Sequence, residues 1–375
     1  MIPYLITFGI SIGLFYSTQK YKFPKYQERF IIMLAVVIPC ILAALRAETI
    51  GTDVLVYAKP LFDRAVGSQT FIDFYSSSIY NYISTWNVHN VSRFEIGYLI
   101  IVYVIAKTTR LFPVLLFVTQ LIINLLIYKG LEKSSIGNKA WVGMLIFYFM
   151  VFNRTLNLMR QSMAIAVIVF AFHYLENKSY KKYILCILIS LLFHTSGLMG
   201  LVIFLMYYVM CEKKTNHRIL RLVTVSLAGV IIIISLNYIS TLLSYIGLGH
   251  YKSYINGTIS FMPRQILLRV PIFVIYFMFR KQLSQKSENA DYFFLLMFFD
   301  LLASQLSSVN EVSGRISLFF SVFALFVYAE IWNVAFQKEN RFLIKFLILG
   351  YIAVFWYYQY VYMGYNHTVP YQFCF

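Results

Sequence analysis

A chain of 375 residues that is 60% hydrophobic and only 13% charged departs from a soluble domain in both respects, towards lipid. A net charge of +17 would suit nucleic acid, but most Lys and Arg stand in short gaps between apolar runs, where they set membrane topology; no nucleic-acid partner is expected. Cys40, Cys186, Cys211 and Cys374 are scattered without CxxC or metal-ligand spacing, which argues against a disulfide framework or a zinc site.

The runs have helix length and lack the ten-residue alternation of an outer-membrane barrel. In chain order they fall at about 2–18, 30–46, 94–109, 112–128, 139–152, 160–176, 183–210, 222–242, 265–280, 292–309, 315–333 and 343–362. The expectation is an all-α polytopic inner-membrane protein, an irregular bundle of about 10–12 transmembrane helices forming a single integral membrane domain over 1–375. The first residues, Met-Ile-Pro-Tyr, lack the basic region and cleavage site of a signal peptide, so the first run is expected to stay as a span.

Basic gaps belong in the cytoplasm. Placing Lys20/Lys22/Lys25/Arg29, Lys178/Lys181/Lys182, Lys213/Lys214/Arg218/Arg221, Lys281/Lys286 and Lys338/Arg341/Lys345 there puts 47–93, 243–264, 310–314 and the tail from Met363 outside. The run 183–210 then crosses an even number of times in too few residues for two full helices. A broken hairpin turning at His194–Gly197 satisfies that, and irregular backbone at membrane depth marks a candidate site. The three runs of 94–152 place loop 129–139 on opposite sides when counted from the two ends. One of them therefore is not a full crossing, and 139–152 is the shortest.

Charged and polar residues in such a chain need a partner or a task. Arg46, Glu48 and Asp53 follow the second run; they read as a carboxylate base beside a phosphate-binding Arg, or as a solvated loop start with a local ion pair. Asn153, Asn157, Arg160 or Gln161, and Ala164 have helical spacing, the pattern of a helix lining a wet cavity for an anion; an Arg snorkelling to headgroups is the plainer account. His194 sits in the proposed turn, as catalyst or as a hydrogen-bonded structural residue. Asp300 in one run and Arg269 in its neighbour read as a structural ion pair, with Arg264 and Arg315 at the outer rim. Gln120 and Asn124 read as interhelical hydrogen bonders. Walker, GxGxxG and HExxH motifs are lacking in the sequence, and the GxSxG pattern at Gly9–Gly13 lies inside the first apolar run, so nucleotide-driven transport and soluble-hydrolase chemistry find no support.

The set Arg46…Gly51-Thr52-Asp53…Tyr57, Glu95-Ile-Gly97-Tyr98, Met159-Arg160-Gln161, Phe193-His194-Thr-Ser196, Arg315-Ile-Ser and Pro370-Tyr371 resembles, in order and spacing along nearly the whole chain, the EpsG family of bacterial polysaccharide proteins, related in role to Wzy-type O-antigen polymerases. Val54 stands where the family often has Tyr, and Gly197 where Ala is usual. The resemblance implies a glycosyltransferase that joins undecaprenyl-diphosphate-linked repeat units into O-antigen, capsule or exopolysaccharide at the outer face of the inner membrane. It implies a helical bundle like the C-type membrane glycosyltransferases, by analogy of fold. It also implies, as pathway partners, a flippase and a chain-length regulator beside membrane lipid. Arg160, Arg264 and Arg315, with Arg46 and Gln161, are then expected at the diphosphate and glycan; Asp53 and His194 compete as base, with Glu48 behind them. No metal and no cofactor is expected, since too few carboxylates cluster. A lipid-linked oligosaccharide flippase and a membrane O-acyltransferase using His194 are the alternatives.

Overall fold

A computed structural model describes residues 1–84, 88–212, 218–234, 260–335 and 341–374. Lys213, Lys214, Lys338 and most of the expected outer loop 243–264 lie outside the described residues. Two compact units divide the chain: Met1–Leu198 with Ile348–Phe375, and Met199–Leu347. The described residues are almost wholly helical, as the apolar runs require, and an all-α polytopic membrane protein results. Among the described residues five helices are long and apolar enough to cross a bilayer: Lys25–Ala44, Phe112–Lys133, Ala290–Ser308, Glu311–Val334 and Phe342–Tyr362.

In the first unit, α1 (Ile2–Lys20) and α2 (Lys25–Ala44) pack on each other, and α2 packs on α6 (Phe112–Lys133). Then α7 (Ala140–Ile146) runs through a π-turn into α8 (Phe152–Asn157), followed by α9 (Met159–Glu176) and α10 (Tyr180–Leu191). Small residues let these apolar cylinders approach closely. A Cβ at Gly130 of α6 would stand 2.6 Å from the Val169 carbonyl of α9, and one at Gly143 would stand 2.7 Å from Leu131. Aromatic rings fill the interior: Phe8 stacks on Tyr148 at 5.2 Å, and Phe15 on Tyr128 at 4.8 Å. The expected interhelical links are present, with Gln120 and Thr155 exchanging hydrogen bonds at 3.0 and 3.1 Å and Asn124 donating to Cys40 Sγ of α2 at 3.7 Å; Asn124 also donates to the Gln120 carbonyl within α6.

These contacts orient the unit. Gln19 donates to the Gly137 carbonyl, so the ends of α1 and α6 and the start of α7 share one end with the Lys20–Lys25 and Lys129–Lys139 basic gaps. The opposite end carries the end of α2, the α8–α9 junction and the end of α10. We refer to it as the site end.

The segment between α2 and α6 folds wholly at that site end. A π-turn (Val54–Ala58) leads into α3 (Lys59–Gly67), then α4 (Phe71–Tyr75), an antiparallel pair β1 (Ser78–Tyr80) and β2 (Val88–Asn90) with Ile79 opposite His89, and α5 (Ile96–Thr109). The beginning of α5 meets α9 and the turn after α10, for Glu95 pairs with Arg160 and Gly97 N–H donates to the Leu192 carbonyl at 2.9 Å. Its end, capped by Arg110 in the left-handed region, is two residues from Phe112, where α6 starts. Phe112 in turn lies against Phe62 of α3. Both ends of α5 are therefore at the site end, and α5 makes no traverse of the unit.

This corrects the reading of 94–152. The run that does not traverse the unit is 94–109, the 14 residues of α5; the run at 139–152 extends into a continuous helix reaching Asn157. With α5 set aside, loop 129–139 joins the other basic gaps of the unit and the parity conflict disappears. The run 183–210 is broken as expected, with helix ending at Leu191 and resuming at Thr195 as a short 3-10 turn.

In the second unit, helix Arg218–Ile234 packs on Ala290–Ser304, where a Cβ at Gly229 would stand 2.6 Å from the Phe299 ring. Arg269 meets Asp300 through two parallel contacts of 2.7 and 2.9 Å, the ion pair expected from the sequence. Gln265 supplies the same guanidinium with a further acceptor at 2.8 Å.

Candidate functional site

Two breaks in helical backbone meet at the site end of the first unit. At the first, Leu158 (φ −82, ψ 58) interrupts the helix between α8 and α9. The carbonyl of Leu156 thereby loses its helical donor and accepts instead from Arg46 Nη2 at 2.8 Å. The Asn157 side chain turns to the loop after α2, where its Oδ1 accepts from Asp53 N–H at 2.9 Å and from Thr52 Oγ1 at 3.3 Å. Gly51 makes this approach possible. Its φ is +84, and a Cβ there would lie 2.8 Å from the Leu156 carbonyl oxygen.

Arg46 is only 2% exposed. The C-terminal tail covers it: Arg46 and Phe373 form an isolated antiparallel bridge, Ala47 N–H donates to the Gln372 carbonyl at 2.9 Å, and Gly51 N–H donates to the His367 carbonyl at 3.1 Å. The tail is fastened in turn by Tyr371 Oη, which donates to the Leu42 carbonyl at 2.6 Å, and by the Asn153–Thr368 side-chain contact of 3.0 Å. Arg46 thus stitches the break rather than facing an open surface.

Arg160, in the first turn of α9, lies between two rings, 4.6 Å from the Tyr57 centroid and 4.9 Å from that of Phe94. Its Nη1 pairs with Glu95 Oε2. Its Nε–H is buried and has no partner among the described residues; the same holds for Arg46 Nε and the Tyr98 hydroxyl. An unmet buried donor costs about 1–3 kcal/mol, so such donors normally await a ligand or water. Burial raises the Tyr57 hydroxyl well above its usual range, and the nearby Asp53 carboxylate adds to this, so Asp53 and Arg160 both act on the same ring.

At the second break, the turn 192–198, Glu95 Oε1 accepts the Thr195 N–H at 3.2 Å. One carboxylate therefore joins the turn to Arg160. His194 Nδ1 accepts the Ser196 N–H at 3.1 Å and lies 2.6 Å from Ser196 Oγ. A backbone N–H can only donate, so Nδ1 carries no proton and neutral His194 holds its proton on Nε2.

The structure thus brings Arg46, Asp53, Arg160 and His194 to one end of one unit. Glu48 lies on the rim there, 3.9 Å from Lys59, which is closer to Asp63 at 2.6 Å. Gln161 is buried in the first turn of α9. Arg264 and Arg315 belong to the second unit. There Met262 N–H and Ser260 N–H bind Gln305 and Ser308, and Arg315 reaches Glu311 at 3.4 Å. The expected polar stripe over Asn153, Asn157 and Arg160 is not one helix face, because Leu158 divides it. Asn153 instead bonds Trp356 and Thr368, while Asn157 bonds the Asp53 loop. Glu95 was not among the expected site residues. The signal for it was an acid at the head of an apolar run, which needs a cation. Among the described residues no group of His, Cys, Asp and Glu is arranged to hold a metal.

A polytopic helical membrane protein with a paired, ring-sandwiched arginine beside a carboxylate and a histidine is the class that fold and site define. A model of the EpsG family matches residues 29–373, nearly the whole chain. The chain belongs to the EpsG family, which is associated with polysaccharide polymerases. Among curated proteins and solved structures, none matches the chain.

Proposed function

We propose that the chain polymerises a bacterial surface glycan, O-antigen, capsule or exopolysaccharide, from undecaprenyl-diphosphate-linked repeat units, with its site end on the outer face of the inner membrane. The orientation rests on the basic gaps gathered at the opposite end of the first unit. The observation that carries the reading is Arg160: a guanidinium fixed by Glu95 and two rings, with a buried Nε–H left over, in the field of Asp53.

In the proposed reaction a sugar hydroxyl of the incoming unit attacks the anomeric carbon of the growing chain. The carbon–oxygen bond to the lipid diphosphate breaks, and the diphosphate leaves with the electron pair. Arg160 stabilises the charge that develops on that leaving group. Asp53, whose position is set by the Asn157 bond to its backbone N–H, takes the proton of the attacking hydroxyl. His194, protonated on Nε2, donates a hydrogen bond to the anion. Arg264 and Arg315 are assigned to the glycan or diphosphate on their charge alone.

The test is Arg160→Ala in cells that depend on this chain, with the surface glycan resolved on a gel. A normal amount of inserted protein with single-unit glycans is expected; long chains from that variant would remove the assignment. In cells lacking the chain, complete loss of surface glycan would indicate the flippase alternative. Full-length chains missing acyl groups would indicate the acyltransferase.

A further inference from the structure

We infer that α5 is a lipid-seated helix that stays in one leaflet, with its Ile96–Ile100–Val104 face among acyl chains on the side of Arg160. Its length is the first ground: 14 residues span about 21 Å at ~1.5 Å per residue, against about 30 Å of hydrocarbon. Height is the second. From the Gly130–Val169 contact, about 27 Å of α6 and about 15 Å of α9 rise towards the site end at ~1.5 Å per residue. Phe112 therefore stands about 12 Å beyond Met159 by the same rise per residue. Since α5 starts at the level of Arg160 and ends beside Phe112, it climbs obliquely through the upper part of the bilayer.

The surface of α5 is the third ground. One side, with Tyr98, Leu99, Val102, Ile105 and Ala106, is buried. The other is also apolar yet open, with Ile96, Ile100 and Val104 38%, 48% and 50% exposed. An apolar face of this extent left in water is unfavourable. It continues onto two further open apolar surfaces. At its start Gly97 is bonded to Leu192, the residue that follows α10, and Leu192 and Leu188 of α10 are exposed. Near its end Tyr103 packs on Phe71 and Phe74 of α4, where Ile72 is exposed. Exposed Arg110 closes the helix at its upper end, a cation placed to reach lipid phosphates from an apolar body, while the Lys107 ammonium is held by the Val66 and Ser68 carbonyls. The occupant these features fit is the acyl region of a phospholipid leaflet. The placement stands independently of the polymerase reading. Under that reading it brings Arg160 within reach of a lipid-linked headgroup that has not left its leaflet.

Two measurements on the full-length protein with its native cysteines replaced test this. Ser92→Cys and Thr108→Cys, in intact spheroplasts, are both expected to react with a membrane-impermeant maleimide, or both to be protected; one reacting while the other needs permeabilised cells overturns the inference. Nitroxides on Ile100→Cys and Val104→Cys, in liposomes of phosphatidylethanolamine and phosphatidylglycerol, are expected to collide several-fold more with oxygen than with a neutral nickel chelate. Preference for the nickel chelate would mean water, and protection from both would mean a protein partner; either result overturns the lipid seat.

Discussion

Replacing Glu95 with glutamine removes one charge and keeps the volume, which makes it a sharp probe of how Arg160 is held. Glu95 uses both oxygens, Oε2 on Arg160 and Oε1 on the Thr195 N–H at 3.2 Å. A glutamine has one carbonyl oxygen and an amide that only donates, so it serves one of these donors and opposes the other. The pair is enclosed, with side-chain exposures of 19% for Arg160 and 11% for Glu95, so it is not a surface ion pair of about 0–1 kcal/mol. Losing a hydrogen bond to a charged group costs about 1.5–3 kcal/mol. If that loss falls wholly on the transition state, the rate drops roughly 10- to 150-fold. Alanine at this position would leave the guanidinium enclosed without a counter-charge, about 3–5 kcal/mol, and would confuse loss of function with loss of protein.

The assay is polymer formation from lipid-linked repeat units by the purified protein in nanodiscs, with the fold monitored by thermal aggregation. Glu95→Gln is expected to lower kcat within the stated range while the protein stays folded. Because Glu95 acts through Arg160, Glu95→Gln with Arg160→Ala is expected to be no slower than Arg160→Ala alone. A wild-type rate for Glu95→Gln, or multiplicative losses in the double variant, would refute the view that Glu95 works by positioning Arg160.

Gly51→Ala places a Cβ 2.8 Å from the Leu156 carbonyl at φ +84, and left-handed backbone costs a non-glycine residue about 1–2 kcal/mol, so a lower melting temperature and loss of polymer are expected. Gly9→Ala, inside α1 and meeting nothing within 4 Å, is the control and should leave polymer formation unchanged and the melting temperature no lower than that of the wild type. In the second unit, Asp300→Ala leaves Arg269 enclosed without its carboxylate and is expected to destabilise by about 3–5 kcal/mol; Asp300→Leu with Arg269→Met should recover most of that, measured as thermal stability in detergent. His194→Gln preserves a donor where Nε2–H stands and is expected to keep several-fold more activity than His194→Ala; equal loss in both would return His194 to the role of base.

The helical class was legible because apolar runs and basic gaps follow directly from the cost of exposing backbone and charge to lipid. The Arg269–Asp300 pair was legible for a related reason, since each is an isolated charge in an apolar run and each needed the other. The α5 error has a physical origin as well. Its residues are apolar on both faces, one against α3 and one open, which in sequence looks the same as a span. Only the position of its ends separates the two cases, and that depends on Glu95 meeting Arg160 across 65 residues. The break at Leu158 was equally hidden. Leu is a good helix former, and the backbone leaves the helix there because Arg46 and Asn157 make bonds that a continuous helix would forbid.

The same contacts narrow the choice of base within the proposed reaction. Glu48 is a half-exposed carboxylate at the rim that shares Lys59 with Asp63, a solvated ion pair in place of an enclosed base. His194 already accepts through Nδ1 and keeps its proton on Nε2, which suits it to donate. Asp53 remains. It lies where the Gly51 turn closes on Asn157, and its charge is felt at Tyr57, one of the two rings that hold Arg160. The proposed displacement of a lipid diphosphate needs a base for the attacking hydroxyl and a cation for the leaving group, and Asp53 and Arg160, which both act on the Tyr57 ring, are the pair assigned to those tasks.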